Sequence, residues 1–272
     1  MPADPGLLYP LLAGIAGLLI GSFLNVCIYR IPRGMSVVFP GSFCPECARA
    51  IAWYDNIPLL GYLYLRGRCR GCRQPIGLQY PIVELVTGVA FGLTAAKYGW
   101  NLSALKWVVF EAILIVLFWT DLEERILPDE LTLGGLAVGV LFAIFVYLPR
   151  GLAELFLPSA APVWQSLLNA AAGAVIIAAP MWLTAAIYER LRGRAGLGLG
   201  DVKLLALLGV FLGLGAGLLA LVIGAIAGSA IGLVYIWFTH KRAASYELPF
   251  GTFLCAAAVA VVLFAPGLVG RF

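Results

Sequence analysis

Histidine is nearly absent from this chain of 272 residues, and charged residues make up only 12% of it. The single histidine, His240, cannot supply the two histidines of a His-Glu-x-x-His zinc-protease helix. A serine–histidine mechanism would have to be built around that one residue. The sequence also lacks a Gly-x-Ser-x-Gly nucleophile elbow and a phosphate-binding P-loop. These absences argue against the common soluble hydrolases and nucleoside triphosphatases.

Hydrophobic residues, in contrast, account for 62% of the chain, and its mean hydropathy is +0.98. Soluble domains carry about 25% charged residues, twice the fraction found here. The apolar runs are long and continuous, not alternating, which favours membrane helices over barrel strands. We therefore predict an all-α, polytopic membrane helical bundle with about eight transmembrane helices. They cover residues 7–28, 82–97, 105–120, 131–148, 167–188, 202–214, 216–238 and 250–268. The segment Gly213-Leu214-Gly215 is either a turn between two helices or a bend inside one.

The basic residues predict the orientation. Asp4 is the only charge before the first apolar run, and arginines follow that run, so we expect a retained helix with its N-terminus outside. Thirteen of the 18 lysines and arginines fall in the predicted cytoplasmic segments 29–80, 121–130, 189–201 and 239–249. The net charge of +4 then reflects orientation and contact with anionic lipid, and it does not indicate nucleic-acid binding.

The long polar segment 29–80 contains two cysteine pairs. Cys44 and Cys47 form one pair, Cys69 and Cys72 form the other, and 21 residues separate the pairs. This spacing is typical of a structural four-cysteine zinc site. Two disulfides are the alternative, but the cytoplasm keeps thiols reduced. We predict three parts: a first transmembrane helix (1–28), a cytoplasmic zinc-binding domain (29–80) and a membrane core (81–272). The remaining cysteines, Cys27 and Cys255, sit in apolar helices and are interpreted as packing residues.

Two aspartates end or begin apolar runs. Asp121 closes the run Ala112–Thr120, and Asp201 follows Gly198-Leu199-Gly200 and opens the next one. Carboxylates in such positions are costly and usually functional. Both fall on the predicted cytoplasmic side, so we predict a carboxylate pair that shares a proton and activates water. Because helix dipoles favour anions at N-termini, we expect Asp201 to be the more acidic partner and Asp121 to carry the proton.

Each acid also has a simpler explanation. Asp201 could be a helix N-cap, and Asp121 an exposed helix end. Asp129 could cap the following helix or replace Asp121 in the chemistry. Lys203 could neutralise a carboxylate or extend to the interface. Two further acids in apolar helices receive no role: Glu84 and Glu111.

Ordered motifs across nearly the whole chain make it resemble the bacterial type IV prepilin peptidase family. They are Gly21–Pro32, the two cysteine pairs, Asn56-Ile57-Pro58, Leu65–Cys69, Tyr80–Leu85, Asp121–Asp129, Gly198–Leu204 and Pro249-Phe250-Gly251. The Gly-x-Gly-Asp element alone is shared with presenilin-like proteases, whereas the ordered set is specific. The chain departs from the family at Thr252, where proline is frequent, and we expect no catalytic consequence.

The resemblance implies an aspartic endopeptidase of the bacterial inner membrane. It would cut the basic leader from type IV prepilins or type II secretion pseudopilins on the cytoplasmic side, after a glycine. Asp121 and Asp201 would be the catalytic acids, Asp129 a helper or cap, and the four cysteines the Zn²⁺ ligands. The resemblance also implies N-methylation of the new N-terminal residue with S-adenosylmethionine. No segment has a recognisable binding fold for that cofactor, so its binding residues stay unassigned, as do the client pilin and the oligomeric state.

A prepilin carries its basic segment at the cytoplasmic interface, where acidic side chains of this chain could receive it. The candidates are Glu46, Asp55, Glu123, Glu124 and Glu130. Two rival functions remain. A proton-coupled transporter would use buried carboxylates as a relay, although no inverted repeat is visible and both acids lie at one face. A metal-stabilised scaffold would explain the cysteines but not the paired aspartates.

Overall fold

The structure is a computed structural model that describes residues 5–148, 151–193, 198–239 and 248–269. The described residues are predominantly helical, as the apolar runs predict. The α-helices are α1 (Pro5–Arg30), α2 (Leu60–Tyr64), α3 (Gln79–Tyr98), α4 (Leu102–Glu124), α5 (Asp129–Phe145), α6 (Leu152–Phe156), α7 (Pro162–Arg192), α8 (Leu199–Thr239), α9 (Phe250–Phe264) and α10 (Pro266–Val269). Extended pairing within these ranges is limited to two isolated bridges in the cysteine segment, Phe43 with Ala50 and Arg68 with Pro75.

Every predicted membrane stretch corresponds to helix, with shifts at the ends. Four of the described helices are apolar and long enough to cross a membrane, namely Gly6–Arg30, Leu102–Glu124, Pro162–Leu191 and Leu199–Phe238. At the ambiguous segment Gly213-Leu214-Gly215, two helical stretches meet at a kink, and the range given for α8 covers both of them. Gly213 has φ 74° and ψ −178°, so it is non-helical within α8. Glycine readily adopts this positive φ because it has no Cβ.

The chain divides into two compact units between Val116 and Leu117, inside α4. In the first unit, α1 packs on α3 through glycines. A Cβ added at Gly17 would lie 2.7 Å from the Thr87 carbonyl oxygen, and one at Gly21 would lie 2.8 Å from the Glu84 Cα. Small residues therefore let the two backbones approach closely, as in membrane helix pairs. The three-part division at residues 28 and 80 stays a prediction.

In the second unit, α8 packs against α5, α7 and α9. Its contact with α7 is again made by glycines, since a Cβ at Gly173 would lie 2.5 Å from the Gly209 carbonyl oxygen. The contact with α5 is equally close: a Cβ at Gly139 would lie 2.7 Å from Val210. The first half of α8 is thus held on several sides, which fixes the position of the acid at its N-terminal end.

Candidate active site and metal centre

Asp121 lies in the last turn of α4 and is only 5% exposed. The helix ends just beyond it, where Arg125 takes a left-handed conformation (φ 56°) and its N–H bonds back to the Asp121 carbonyl oxygen at 3.0 Å. The Asp121 side chain accepts two hydrogen bonds on Oδ2, both from Thr252. The Thr252 backbone N–H donates at 2.6 Å and its hydroxyl at 2.9 Å.

These contacts place Asp121 at the N-terminal end of a second helix. Thr252 lies in the first turn of α9, whose N–H groups have no partners inside the helix. The carboxyl of Asp121 satisfies one of them, and the α9 dipole favours a negative charge there. The two helix dipoles therefore act on Asp121 in opposite directions. Its position in α4 alone no longer decides which acid of the pair carries a proton.

Asp201 lies in the first turn of α8, as predicted, and is half-buried. Its backbone N–H closes a turn onto the Gly198 carbonyl oxygen at 3.1 Å. Within the part of the chain that the structure describes, no hydrogen bond reaches its carboxyl; Asp121 is the charged group that acts on it. Among the described residues, the Asp201 carboxyl therefore lacks the hydrogen bond to a backbone N–H that an N-cap would make.

Leu127, in the connection between α4 and α5, brings the two acid-bearing helix ends together. A Cβ at Gly200 would lie 3.3 Å from the Leu127 Cδ1 atom, and a Cβ at Gly251 would lie 3.1 Å from the same atom. The Gly251 Cβ would also lie 3.1 Å from the Asp121 Oδ2 atom. The N-termini of α8 and α9 therefore converge on one leucine, next to the end of α4. A side chain at either position would lie tightly against Leu127 or the Asp121 carboxyl, so glycine lets these groups approach closely.

Cys255 lies beside this pair. It is buried in α9, one turn beyond Thr252, and both Asp121 and Asp201 act on it electrostatically. Its burial is compatible with the predicted packing role.

Asp129 is held by a different partner. It is the first residue of α5, behind the N-cap Pro128, and it makes no side-chain cap hydrogen bond. Its carboxylate forms an ion pair of 2.6 Å with the Lys203 ammonium, and its side chain is 59% exposed. Lys203 therefore neutralises Asp129, one of the two alternatives left open for it. The exposed, paired Asp129 is a weaker candidate for proton transfer than the buried Asp121.

The four predicted cysteine ligands come together in the first unit. Their sulfur atoms all lie within 4.8 Å of one another, and the Cys44 and Cys72 sulfurs are 3.9 Å apart. Four sulfurs about 2.3 Å from a central zinc ion would be about 3.8 Å from each other in a tetrahedron. All four cysteines are free of disulfides, so that alternative is not adopted. The donor set and its geometry fit zinc.

Two matching turns build this cluster. In each turn the fourth residue after the first cysteine adopts a positive φ, 56° at Ala48 and 63° at Arg73. The N–H of Ala48 bonds to the Cys44 carbonyl oxygen at 2.8 Å, and that of Arg73 bonds to the Cys69 carbonyl oxygen at 3.0 Å. The two pairs are therefore equivalent local structures that face each other.

The other predicted acids have separate partners. Glu84 is 8% exposed and accepts the Leu59 N–H at 2.8 Å, so it ties α3 to the cysteine segment. Glu111 is fully buried and accepts the Thr94 hydroxyl at 2.6 Å. Among the proposed leader-binding acids, Asp55 is already paired with Arg70 through two hydrogen bonds of 2.7 and 2.5 Å. The Arg70 guanidinium lowers the pKa of Asp55 below its usual value.

Thr252 has a structural role that its sequence position does not predict. It departs from the proline frequent in the family, and it supplies both hydrogen bonds to Asp121. A proline in its place would have no N–H to donate. The available signal was chemical: a buried carboxyl needs donors, and Thr252 is a polar residue at the start of an otherwise apolar helix.

Two protein-family models match successive parts of the chain. Residues 15–98 match the model of the bacterial peptidase A24 N-terminal domain, and residues 107–233 match the type IV leader peptidase family. The chain belongs to the type IV leader peptidase family. The four cysteines fall within the first match, and Asp121 and Asp201 fall within the second. The long apolar helices make this family member a multi-pass membrane protein.

Curated relatives of this family cover most of the chain. The prepilin leader peptidase/N-methyltransferase of Neisseria gonorrhoeae is 38% identical over 82% of this chain and 79% of its own length. The protein of the same name from Klebsiella pneumoniae is 39% identical over 75% and 87%, and that from Xanthomonas campestris pv. campestris is 33% identical over 98% and 95%. No solved structure matched the chain.

Proposed function

We propose that this chain is an aspartic endopeptidase that removes the leader from type IV prepilins or type II secretion pseudopilins, with Asp121 and Asp201 as its catalytic acids. The observation that carries the proposal is the convergence on Leu127 of the α8 N-terminus, which bears Asp201, and the α9 N-terminus, whose Thr252 binds Asp121. Asp121 is buried, and both acids begin or end apolar helices. Acids held this way usually serve a function, since their burial costs free energy that packing does not return.

In this mechanism one carboxylate acts as general base and takes a proton from a water molecule. The water oxygen attacks the scissile carbonyl carbon while the other carboxyl, protonated, donates its proton to the carbonyl oxygen. The tetrahedral intermediate then collapses: the acid that took the proton from water gives it to the leaving amide nitrogen, and the other carboxylate takes back the hydroxyl proton of the intermediate. Thr252 engages only Oδ2 of Asp121, which leaves Oδ1 for water or substrate. Both carboxyls lie at helix N-termini, Asp201 in α8 and Asp121 against α9, so helix position does not decide which acid is the ionised base. Titration of each single Asp→Asn variant assigns the two roles.

The cytoplasmic side of the inner membrane is the proposed location of cleavage, with the N-terminus outside. The excess of lysine and arginine in segments 29–80, 121–130, 189–201 and 239–249 supports this orientation. A prepilin helix would then present its basic leader beside Asp121. The exposed side chains of Glu123 and Glu130 follow Asp121 closely along the chain and are the proposed contacts for the leader.

We also propose that the four cysteines hold a structural zinc ion and that the chain N-methylates the residue exposed by cleavage. The printed names of the curated relatives support the second activity. S-adenosylmethionine supplies an electrophilic methyl group for that step when it is bound. The chain would bind it, and would exclude water from the transferring methyl, with residues of its own.

The deciding experiment is cleavage of a purified prepilin in detergent, read by mass spectrometry of both fragments. We expect Asp121→Asn and Asp201→Asn to lower the cleavage rate by about 10³-fold or more, since general acid–base groups contribute up to about 10⁴-fold. Asp129→Asn is the matched control, an exposed acid of the same unit that should cleave at nearly the wild-type rate. Zinc content and thermal stability show that each variant is folded. Undiminished cutting by either core variant would remove that residue from the mechanism.

A further inference from the structure

The first unit contains a cavity of about 360 Å³ that neither aspartate of the pair lines. Its walls are the C-terminal end of α1, the cysteine segment and the start of α3, and they run from Ser22 to Glu84. Cys44 and Cys69 form part of the lining, so the metal cluster supports one wall. A cavity of this size is in the range that holds drug-sized organic ligands.

One buried polar atom on this wall has no partner. Asn25 is 5% exposed, and its amide nitrogen donates to the Tyr80 carbonyl oxygen at 3.1 Å and to the Gly21 carbonyl oxygen at 3.3 Å. These two carbonyls fix the orientation of the amide. Its Oδ1 atom is buried and accepts no hydrogen bond from the described residues. Buried acceptors are rarely left without a donor, so this atom is an acceptor that the N–H or O–H group of a ligand in the cavity can satisfy.

The remaining lining is aromatic and carries charges of both signs, which suits a ligand that itself has both a cationic and an anionic group. Four tyrosines line the cavity: Tyr29, Tyr54, Tyr62 and Tyr80. Two of these rings already have arginines over their faces, Arg33 at 4.4 Å from Tyr29 and Arg70 at 5.4 Å from Tyr54. Tyrosine faces attract cations through the quadrupole of the ring. The Glu84 carboxyl, which accepts the Leu59 N–H, adds a hydrogen-bonding group to this wall.

We propose that this cavity binds S-adenosylmethionine, with Asn25 as acceptor for the adenine amino group and the tyrosine faces against the sulfonium. Arg49 on the rim is the counterion for the carboxylate of the cofactor. The inference rests on the proposed methyltransferase activity and assigns the residues that serve it. In that reaction the amine nitrogen forms a bond to the methyl carbon, the carbon–sulfur bond breaks with its electron pair retained on sulfur, and the amine proton passes to solvent. The product, S-adenosylhomocysteine, is uncharged at sulfur.

That charge difference gives a test that does not depend on turnover. Calorimetry on the full-length, zinc-loaded protein in detergent should detect binding of both S-adenosylmethionine and S-adenosylhomocysteine. Asn25→Leu should weaken both by at least tenfold. Tyr62→Leu should weaken the sulfonium cofactor more than its neutral product, and Tyr62→Phe, which keeps the ring face, should preserve their ratio. Equal binding by Asn25→Leu and wild type would overturn the assignment.

Hydrogen exchange of the wild-type protein provides a second readout, which does not depend on whether a variant folds. S-adenosylhomocysteine should protect the backbone amides in the segments 22–30, 42–57 and 74–84. Protection only elsewhere, or no binding at all, would contradict the proposal. Asp121→Asn, in the second unit, should bind the cofactor as the wild type does. If the aspartates prove not to catalyse cleavage, these binding results would still hold. The proposal for the cofactor site and the proposal for the catalytic acids can therefore be refuted separately.

Discussion

The metal loop of the first unit (residues 42–75, with the four cysteines) and the acid site of the second unit (Asp121, Asp201 and Thr252) hold their functional groups together by different means. Each cysteine pair is set by a turn of a few residues, and the two turns repeat the same positive-φ conformation. The acids instead depend on contacts between distant parts of the chain, since Thr252 and Asp121 are 131 residues apart. A site built from local turns can be recognised from spacing, whereas a site built from helix ends requires the packing to be known.

Removing a cysteine should produce the largest effect, confined to the metal loop. Cys69→Ser removes one of four zinc ligands, and zinc binding contributes about 10 kcal/mol or more to folding of such sites. We expect the zinc content, measured by elemental analysis, to fall from one ion per chain to none. Hydrogen exchange in segment 42–75 should rise strongly.

Cys27→Ala is the matched control for that experiment, because Cys27 is a buried cysteine of the same unit outside the cluster. It should retain one zinc ion. A Cys69→Ser protein that still binds a full equivalent of zinc would show that the cluster is not the metal site.

Thr252 tests how strongly the acid site depends on its long-range contact. Thr252→Val removes the hydroxyl but keeps the N–H, and Thr252→Pro removes both donors at a helix position that tolerates proline. Since a hydrogen bond to a charged group is worth about 1.5–3 kcal/mol, we expect kcat to fall about tenfold in the valine variant and further in the proline variant.

Thr252→Ser should restore most of that loss, because it returns the hydroxyl. A positioning role also predicts a changed pH–rate profile for Thr252→Val, which a merely structural role would not give. If the profile and kcat match those of the wild type, the Thr252 hydroxyl does not position Asp121.

The ion pair between Lys203 and Asp129 should have the smallest effect. Both side chains are substantially exposed, and exposed pairs contribute at most about 1 kcal/mol to stability. Lys203→Met should therefore lower the thermal stability slightly and change cleavage less than about threefold. The stability difference should shrink at high salt, where surface charges are screened. A large loss of cleavage would instead implicate Asp129 in the chemistry.

Much of the architecture could be predicted from the sequence because the signals were local. Apolar runs predict the long helices, and cysteine spacing predicts the cluster of four sulfurs. The cost of a carboxylate in an apolar run singles out Asp121 and Asp201, whose catalytic role stays a prediction. The partner of Asp129 could not be assigned, since Lys203 is 74 residues away. Leu127 had no signal at all, because a leucine becomes a contact point only when three helix ends converge on it.

The break in helix α8 has a consequence for the number of times that the chain crosses the bilayer. A straight helix of 41 residues would be about 62 Å long, twice the ~30 Å thickness of the hydrocarbon core. The single non-helical residue, Gly213, lets this run act as two shorter rods. If the run crosses the membrane twice instead of once, the total number of crossings changes by one. Every segment after α8 then emerges on the opposite side of the membrane. We therefore expect a bulky residue at position 213 to change the side of the membrane on which the C-terminus lies. Reporter fusions at the C-terminus would detect this change.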